Sequence, residues 1–232
     1  MNRRWIVLFV LCGGSSPVLA QDAGVNVSVG VRAWYTEWTT FSYHVDPLTG
    51  ENDALTQVSA DSEPTFLPIV SVRYGKWLAS TSAMLSRHFT FPNGRGTRKE
   101  FDANVGYSVL PGLAFTLGYK QVSQADGPAR YRPRGPTLGA TGNASLGGAW
   151  SMYGSLGLGW LETPDGDDIA FDADYQLAEL GLAYSLEGNR MPRRWTFTGG
   201  YRYQAMKSKD AFESQDGRDT TQGFTIGMMA TF

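Results

Sequence analysis

From Val25 to the last residue, Phe232, apolar side chains recur at every second position, and no long stretch repeats them at i, i+3, i+4 and i+7. The closing segment, GFTIGMMATF, shows the pattern at its cleanest. Phe224, Ile226, Met228, Ala230 and Phe232 fall on one parity; Gly223, Thr225, Gly227, Met229 and Thr231 fall on the other. Successive side chains of a strand point to opposite faces, so this is a strand with one apolar face and one small or polar face. The first such segment, VNVSVGVRAWYTEWTT, opposes Val25, Val27, Val29, Val31, Ala33 and Tyr35 to Asn26, Ser28, Gly30, Arg32, Trp34 and Thr36. A chain patterned this way throughout is all-β.

The pattern predicts ten strands, at 25–40, 65–74, 77–89, 100–110, 113–122, 137–146, 150–161, 174–186, 195–204 and 223–232. The connections alternate in length. Gly75-Lys76, Pro111-Gly112, Gly147-Gly148 and EGNRMPRR are short; HVDPLTGENDALTQVSADSE, PNGRGTRK, SQADGPARYRPRGP, ETPDGDDIAF and the stretch 207–220 are longer. A soluble sandwich has no need to segregate its connections in this way. A transmembrane antiparallel up-and-down β-barrel does so routinely, with an even strand count and about ten residues per strand. Aromatic residues gather at both strand ends, as in interfacial girdles. Tyr74, Trp77, Tyr107, Trp150, Tyr184, Trp195 and Phe232 sit near the short turns; Tyr35, Phe89, Tyr119, Trp160 and Tyr203 sit near the long loops. Eight strands is the alternative, should a weak pair within 137–161 be misassigned.

The N-terminus carries an address. Arg3 and Arg4 precede an apolar run from Trp5 to Leu11, and Val18-Leu19-Ala20 precedes Gln21 as a secretory cleavage site. The run is too short to span a membrane, which takes about 20 apolar residues. The expected organisation is therefore a removed signal peptide at 1–20 and a single barrel domain at 21–232. Cys12 is the only cysteine, so the mature chain has no disulfide and no thiolate metal site. Losing Arg3 and Arg4 lowers the formal charge from −2 to −4, which does not suggest a nucleic-acid binder.

With its terminal Phe232 on an alternating apolar strand, the chain resembles Gram-negative outer-membrane β-barrel proteins. That resemblance implies residence in the cell outer membrane, lipid against the apolar face, and recognition of the last strand by the barrel-insertion machinery. The function it suggests is a small non-enzymatic barrel serving envelope integrity or surface interaction through its loops. A narrow porin-like channel for small solutes is the alternative.

Parity distinguishes inside from outside. Arg32, Asp102, Lys120, Glu179 and Arg202 fall on the polar face, and counting from the short-turn ends puts all five at one level. A hairpin centred on Pro111 sets Asp102 opposite Lys120; one centred between Arg190 and Met191 sets Glu179 opposite Arg202. This luminal charged belt reads either as an ionic plug or as a selectivity constriction, and ten strands enclose only slightly more space than the eight that side chains can fill. Trp34, Trp38, Met84, Tyr153 and His88 share the inner parity.

The search for chemistry yields no catalytic residue, metal site or cofactor. His44-x-Asp46 and Asp172-x-Asp174 resemble the paired catalytic groups of ten-stranded outer-membrane proteases of the omptin family. The chain departs from that family in pair order, in length and in lacking room for walls raised above the membrane. Asp165, Asp167 and Asp168 read as a solvated acidic loop. Arg95, Arg98 and Lys99 in the second outer loop, with Arg130, Arg132 and Arg134 in the third, are candidate lipopolysaccharide-binding loops, because arginine grips phosphate bidentately. Pairing with the neighbouring acidic loops is the competing reading.

Overall fold

The computed structural model describes residues 24–45, 52–92, 94–126, 129–164, 171–189, 192–212 and 215–232. The signal segment 1–20, Asp46, Asp165, Asp167, Asp168 and the side chain of His44 lie outside the described residues. The strands are β1 (Val25–Val45), β2 (Asn52–Ser59), β3 (Glu63–Tyr74), β4 (Trp77–Phe91), β5 (Gly94–Leu110), β6 (Leu113–Asp126), β7 (Ala129–Tyr131), β8 (Arg134–Gly147), β9 (Trp150–Glu162), β10 (Asp172–Glu187), β11 (Arg194–Phe212) and β12 (Gln215–Thr231).

They make a closed antiparallel barrel of ten wall strands. β2 and β3 pair with the upper and lower halves of the same edge of β1, forming one wall strand interrupted at 60–62, and the short β7 folds back onto β6. β12 closes on β1 from Ser28↔Thr231 to Thr39↔Thr220, and Phe232 and Val27 exchange backbone hydrogen bonds of 2.8 and 3.4 Å. Closure leaves no free edge strand, so the wall satisfies its own backbone along its ladders, except where β3 and β4 part above Ile69↔Ser82.

The short turns use glycine at positive φ, at Gly75 and Gly112 as at Gly147 and Gly148. Gly75 (φ +55°) follows Tyr74, and Gly112 (φ +80°) follows Pro111; both occupy the left-handed region that costs other residues strain. The Gly75-Lys76 turn carries its register unchanged into the β3–β4 ladder, whereas a one-residue shift between Ser108 and Leu110 separates the Pro111-Gly112 turn from the ladder above it. From Pro111-Gly112 the β5–β6 ladder runs up through Asp102↔Lys120 to Gly96↔Asp126.

The two faces of the wall differ as the alternation requires. Outside, Phe224, Ile226, Leu117, Leu156, Leu158 and Leu180 stand exposed, a surface suited to hydrocarbon rather than water. Edge-to-face or tilted aromatic pairs mark its margins: Trp77 with Tyr107 and Trp150 with Tyr184 at the short-turn end, and Tyr201 with Phe224 higher up. Inside, Trp34, Trp38, Lys120, Gln204, Thr36, Thr65, Thr221 and Thr225 are fully buried.

Three expectations need correction. Several strands run higher than the parity pattern suggested: β1 reaches Val45, and β11 and β12 climb to Phe212 and Gln215. The wall therefore does rise in tall hairpins. Second, β4 carries a bulge: its register on β5 slips between Met84 and Arg87. One extra residue inverts every side chain beyond it. His88 consequently stands exposed beside outward Thr97, not in the lumen. Third, the same slip takes Phe89 out of the upper girdle and buries it against Trp38.

Candidate functional site

The lumen is occupied by a network of charged and polar side chains carried on inward positions of six strands. β1 supplies Arg32; β5 supplies Arg98, Glu100 and Asp102; β6 supplies Lys120; β10 supplies Glu179; β11 supplies Arg202 and Gln204; β12 supplies Asp219. Each sits there because the period-2 pleat directs that parity inward.

One end of the network is a shared carboxylate. Glu179 accepts hydrogen bonds from Arg202 Nη1 and Arg32 Nη1, both at 2.9 Å. Glu179 and Arg202 are direct partners in the β10–β11 register, whereas Arg32 reaches across the barrel. The Arg202 guanidinium lies 5.4 Å from the Trp34 ring, a favourable cation–π placement.

The other end centres on Glu100. Lys120 Nζ donates to Glu100 Oε2 at 2.6 Å and to Asp102 Oδ1 at 3.1 Å. Lys120 is 0% exposed, so its charge survives only because two carboxylates surround it. Arg98 donates through Nε to Glu100 at 2.7 Å and through Nη1 to Asp219 at 2.9 Å. Asp219 also accepts from Trp38 Nε1 (2.6 Å), Gln124 Nε2 (2.9 Å) and Thr40 Oγ1 (3.1 Å).

Gln204 joins the two ends. Its amide nitrogen donates to Glu100 at 3.0 Å, and its oxygen accepts from Tyr175 (2.6 Å) and Arg202 Nη2 (3.3 Å). The charges of the network balance: Arg32, Arg98, Lys120 and Arg202 face Glu100, Asp102, Glu179 and Asp219. A neutral, hydrogen-bonded cluster of this kind can fill and stiffen a lumen without the core of apolar side chains that a soluble domain uses.

The structure brings Arg32, Asp102, Lys120, Glu179 and Arg202 into this one network but not into a single-level belt. On β5 alone the network takes three successive inward positions, 98, 100 and 102. Glu100, Gln204 and Asp219 are members that the sequence reading missed. Glu100 and Gln204 already lie inside the strands read from the pattern, on the inward parity of Asp102 and Arg202, whereas Asp219 lies beyond the predicted start of the last strand at Gly223.

The loop arginines divide. Arg98 is a luminal residue, 2% exposed, so it drops out of the basic loop group as a correction. Arg95, Lys99, Arg130, Arg132 and Arg134 are exposed. Asp172 pairs in register with Lys209 and Glu162, and the buried inward positions of β10 are Ala173, Tyr175, Glu179 and Ala183. Asp172 and Asp174 thus project outward, away from any cleft at the barrel mouth. Among the described residues, no cluster of three or more His, Cys, Asp or Glu side chains is arranged to hold a metal.

No protein-family model matches the chain, and neither does any curated protein by sequence. Among solved structures, the outer membrane protease OmpT from Escherichia coli is similar in fold. The match covers 92% of this chain and 98% of that one, at 13% identity and a TM-score of 0.53. A Pseudomonas aeruginosa FadL homologue aligns over 90% of each chain at 10% identity, with a TM-score of 0.35. The likeness to the protease is one of fold. It agrees with a closed ten-stranded antiparallel barrel of outer-membrane type.

Proposed function

We propose that the protein is a non-enzymatic barrel of the Gram-negative outer membrane, its lumen closed by the ionic network and its outer loops engaged with the cell surface. The observation that carries this reading is the continuous run of buried hydrogen bonds from Arg32 through Glu179, Arg202, Gln204 and Glu100 to Asp219. An ion-selective pore lines its constriction with charges that water and ions can reach; here Lys120, Glu100, Arg98 and Asp219 are buried and already paired. The apolar outer wall and its aromatic margins support residence in a bilayer, and the C-terminal strand ending at Phe232 is the segment offered to the insertion machinery.

The exposed Arg95, Lys99, Arg130, Arg132 and Arg134 are the side chains we assign to lipopolysaccharide phosphates. A hydrolase like the omptins is disfavoured by the outward projection of Asp172 and Asp174. Planar-bilayer recording tests the main reading. The protein is expected to insert without discrete conductance steps; steady ion-selective steps would favour the narrow-channel alternative.

A further inference from the structure

Among the described residues, the β3–β4 pairing is where the wall comes apart. Ladder partners run from Tyr74↔Trp77 up to Ile69↔Ser82 and stop, although β3 continues along β1 to Glu63 and β4 continues along β5 to Phe91. The two strands meet again only higher up, where the Asp61 N–H donates to the Thr90 carbonyl at 3.0 Å.

Two prolines account for the split. Val27 and Phe232 exchange both backbone bonds, so odd-numbered β1 residues turn their backbone groups to β12 and even-numbered ones to β3. The β1–β3 register pairs those even residues with odd β3 residues. Even β3 residues, Pro64 and Pro68 among them, therefore face β4 with no N–H to offer. The ladder ends at the residue next to Pro68. On the opposite lip, Leu85 and Ser86 fall in the β4 bulge and, among the described residues, have a ladder partner on neither side.

The gap lies within the apolar band. Phe66 (55% exposed) and Leu85 (61% exposed) flank it outside, just below Tyr35 and its register partner Pro64. Behind it, Leu67 and Met84 pack on Trp34. On the luminal side, the half-exposed pair Arg87–Glu63 bridges the two strands at 2.7 Å.

We propose that this seam is a lateral binding site for a lipid acyl chain, which enters between Phe66 and Leu85, displaces the Met84 side chain and seats against Leu67 and Trp34. The inference rests on the outer-membrane reading above. Hydrocarbon is the occupant because the lips and the floor are apolar and bilayer is what surrounds them. The unbranched Met84 suits the role of a movable plug, since it adapts to irregular space. The Arg87–Glu63 bridge would hold the strands in register while the chain enters beneath it.

The test is photolabelling of the unmodified barrel in vesicles of phosphatidylcholine carrying a diazirine on the acyl chain, with the adducts mapped by mass spectrometry. Adducts on Trp34, Leu67 or Met84, alongside those on outward Leu156 and Leu158, are the expected result. The double substitution Pro64→Thr, Pro68→Thr restores two donors and should cut the luminal adducts at least fivefold, leaving Leu156 unchanged. Adducts on outward residues alone would overturn the seam and leave the membrane reading standing. Luminal adducts indifferent to the proline replacements would overturn it too, since the chain would then enter elsewhere. Absence of adducts on Leu156 and Leu158 would overturn the membrane reading itself.

Discussion

Glu179 serves two arginines, and this asymmetry sets what each substitution should do. In Glu179→Ala, both Arg32 and Arg202 lose their carboxylate while staying in the lumen; stranding a buried charge commonly costs roughly 3–5 kcal/mol. In Arg202→Ala, Glu179 keeps Arg32, so the expected loss is smaller, about 1–3 kcal/mol. The double variant should recover only part of the Glu179→Ala loss, because Arg32 remains unmatched. Urea unfolding in vesicles for the two single variants and the double measures this coupling. Strictly additive losses would show that the residues do not interact. At the far end of the network, Asp219→Asn would set an amide N–H₂ against a site built from four donors, Trp38, Thr40, Gln124 and Arg98. We expect a loss of about 3 kcal/mol or more and a shift in Trp38 emission; an unchanged urea midpoint would contradict it.

At the scale of the element, turns and the bulge decide where side chains land. Gly75 and Gly112 both need a left-handed backbone, but their surroundings differ. A Cβ on Gly75 meets open space, whereas one on Gly112 would collide with the Asn143 carbonyl oxygen. The Asn143 N–H also donates to the Gly112 carbonyl at 2.7 Å, tying this turn to β8. Gly75→Ala should therefore cost about 1 kcal/mol, the strain of the backbone alone, and Gly112→Ala clearly more, towards 3 kcal/mol. Equal urea midpoints for the two variants would refute this reading of the turns. The β4 bulge is the other local device. It carries Phe89 and Phe91 inward onto Trp38, where the rings meet edge-to-face at 5.3 and 5.0 Å. The same slip brings Arg87 across to Glu63.

For the whole molecule, closure matters more than any single contact. β1 joins β12 along twelve register pairs, from Ser28↔Thr231 to Thr39↔Thr220, and the charged network then ties opposite walls together through Arg32–Glu179 and Arg98–Asp219. Such a barrel should open cooperatively and slowly. Unheated protein in dodecyl sulfate should migrate as a compact band that shifts on boiling, and its circular dichroism in detergent should be β-rich. A helical spectrum, or stable folding with no amphiphile present, would be inconsistent with the apolar outer wall. Substituting Phe232 by Ala keeps the backbone exchange with Val27 and should leave urea stability within about 0.5 kcal/mol. Its effect is expected instead on the yield of membrane-inserted protein in cells.

How much the sequence alone determined follows from how local each cause is. Alternation is local, so ten wall strands, the apolar outer face and the short turns were legible in it. Arithmetic centred on Pro111 sets Asp102 opposite Lys120, and the β5–β6 ladder has the two paired; that pairing depends on a one-residue shift between Ser108 and Leu110, since Leu110↔Leu113 continued unchanged would set Asp102 opposite Gln121. A single inserted residue breaks that arithmetic. Nothing in LSRHF announces that the parity inverts between Met84 and Arg87, and so His88 and Phe89 were assigned to the wrong faces. Strand tops were underestimated because Asp219 and Arg98 look like loop residues until a closed wall surrounds them with partners. Which carboxylate meets which cation across the barrel, as Glu179 meets Arg32 or Asp219 meets Arg98, is settled only in three dimensions. Residues far apart in the chain share that space because the wall closes, and local pattern carries no record of closure.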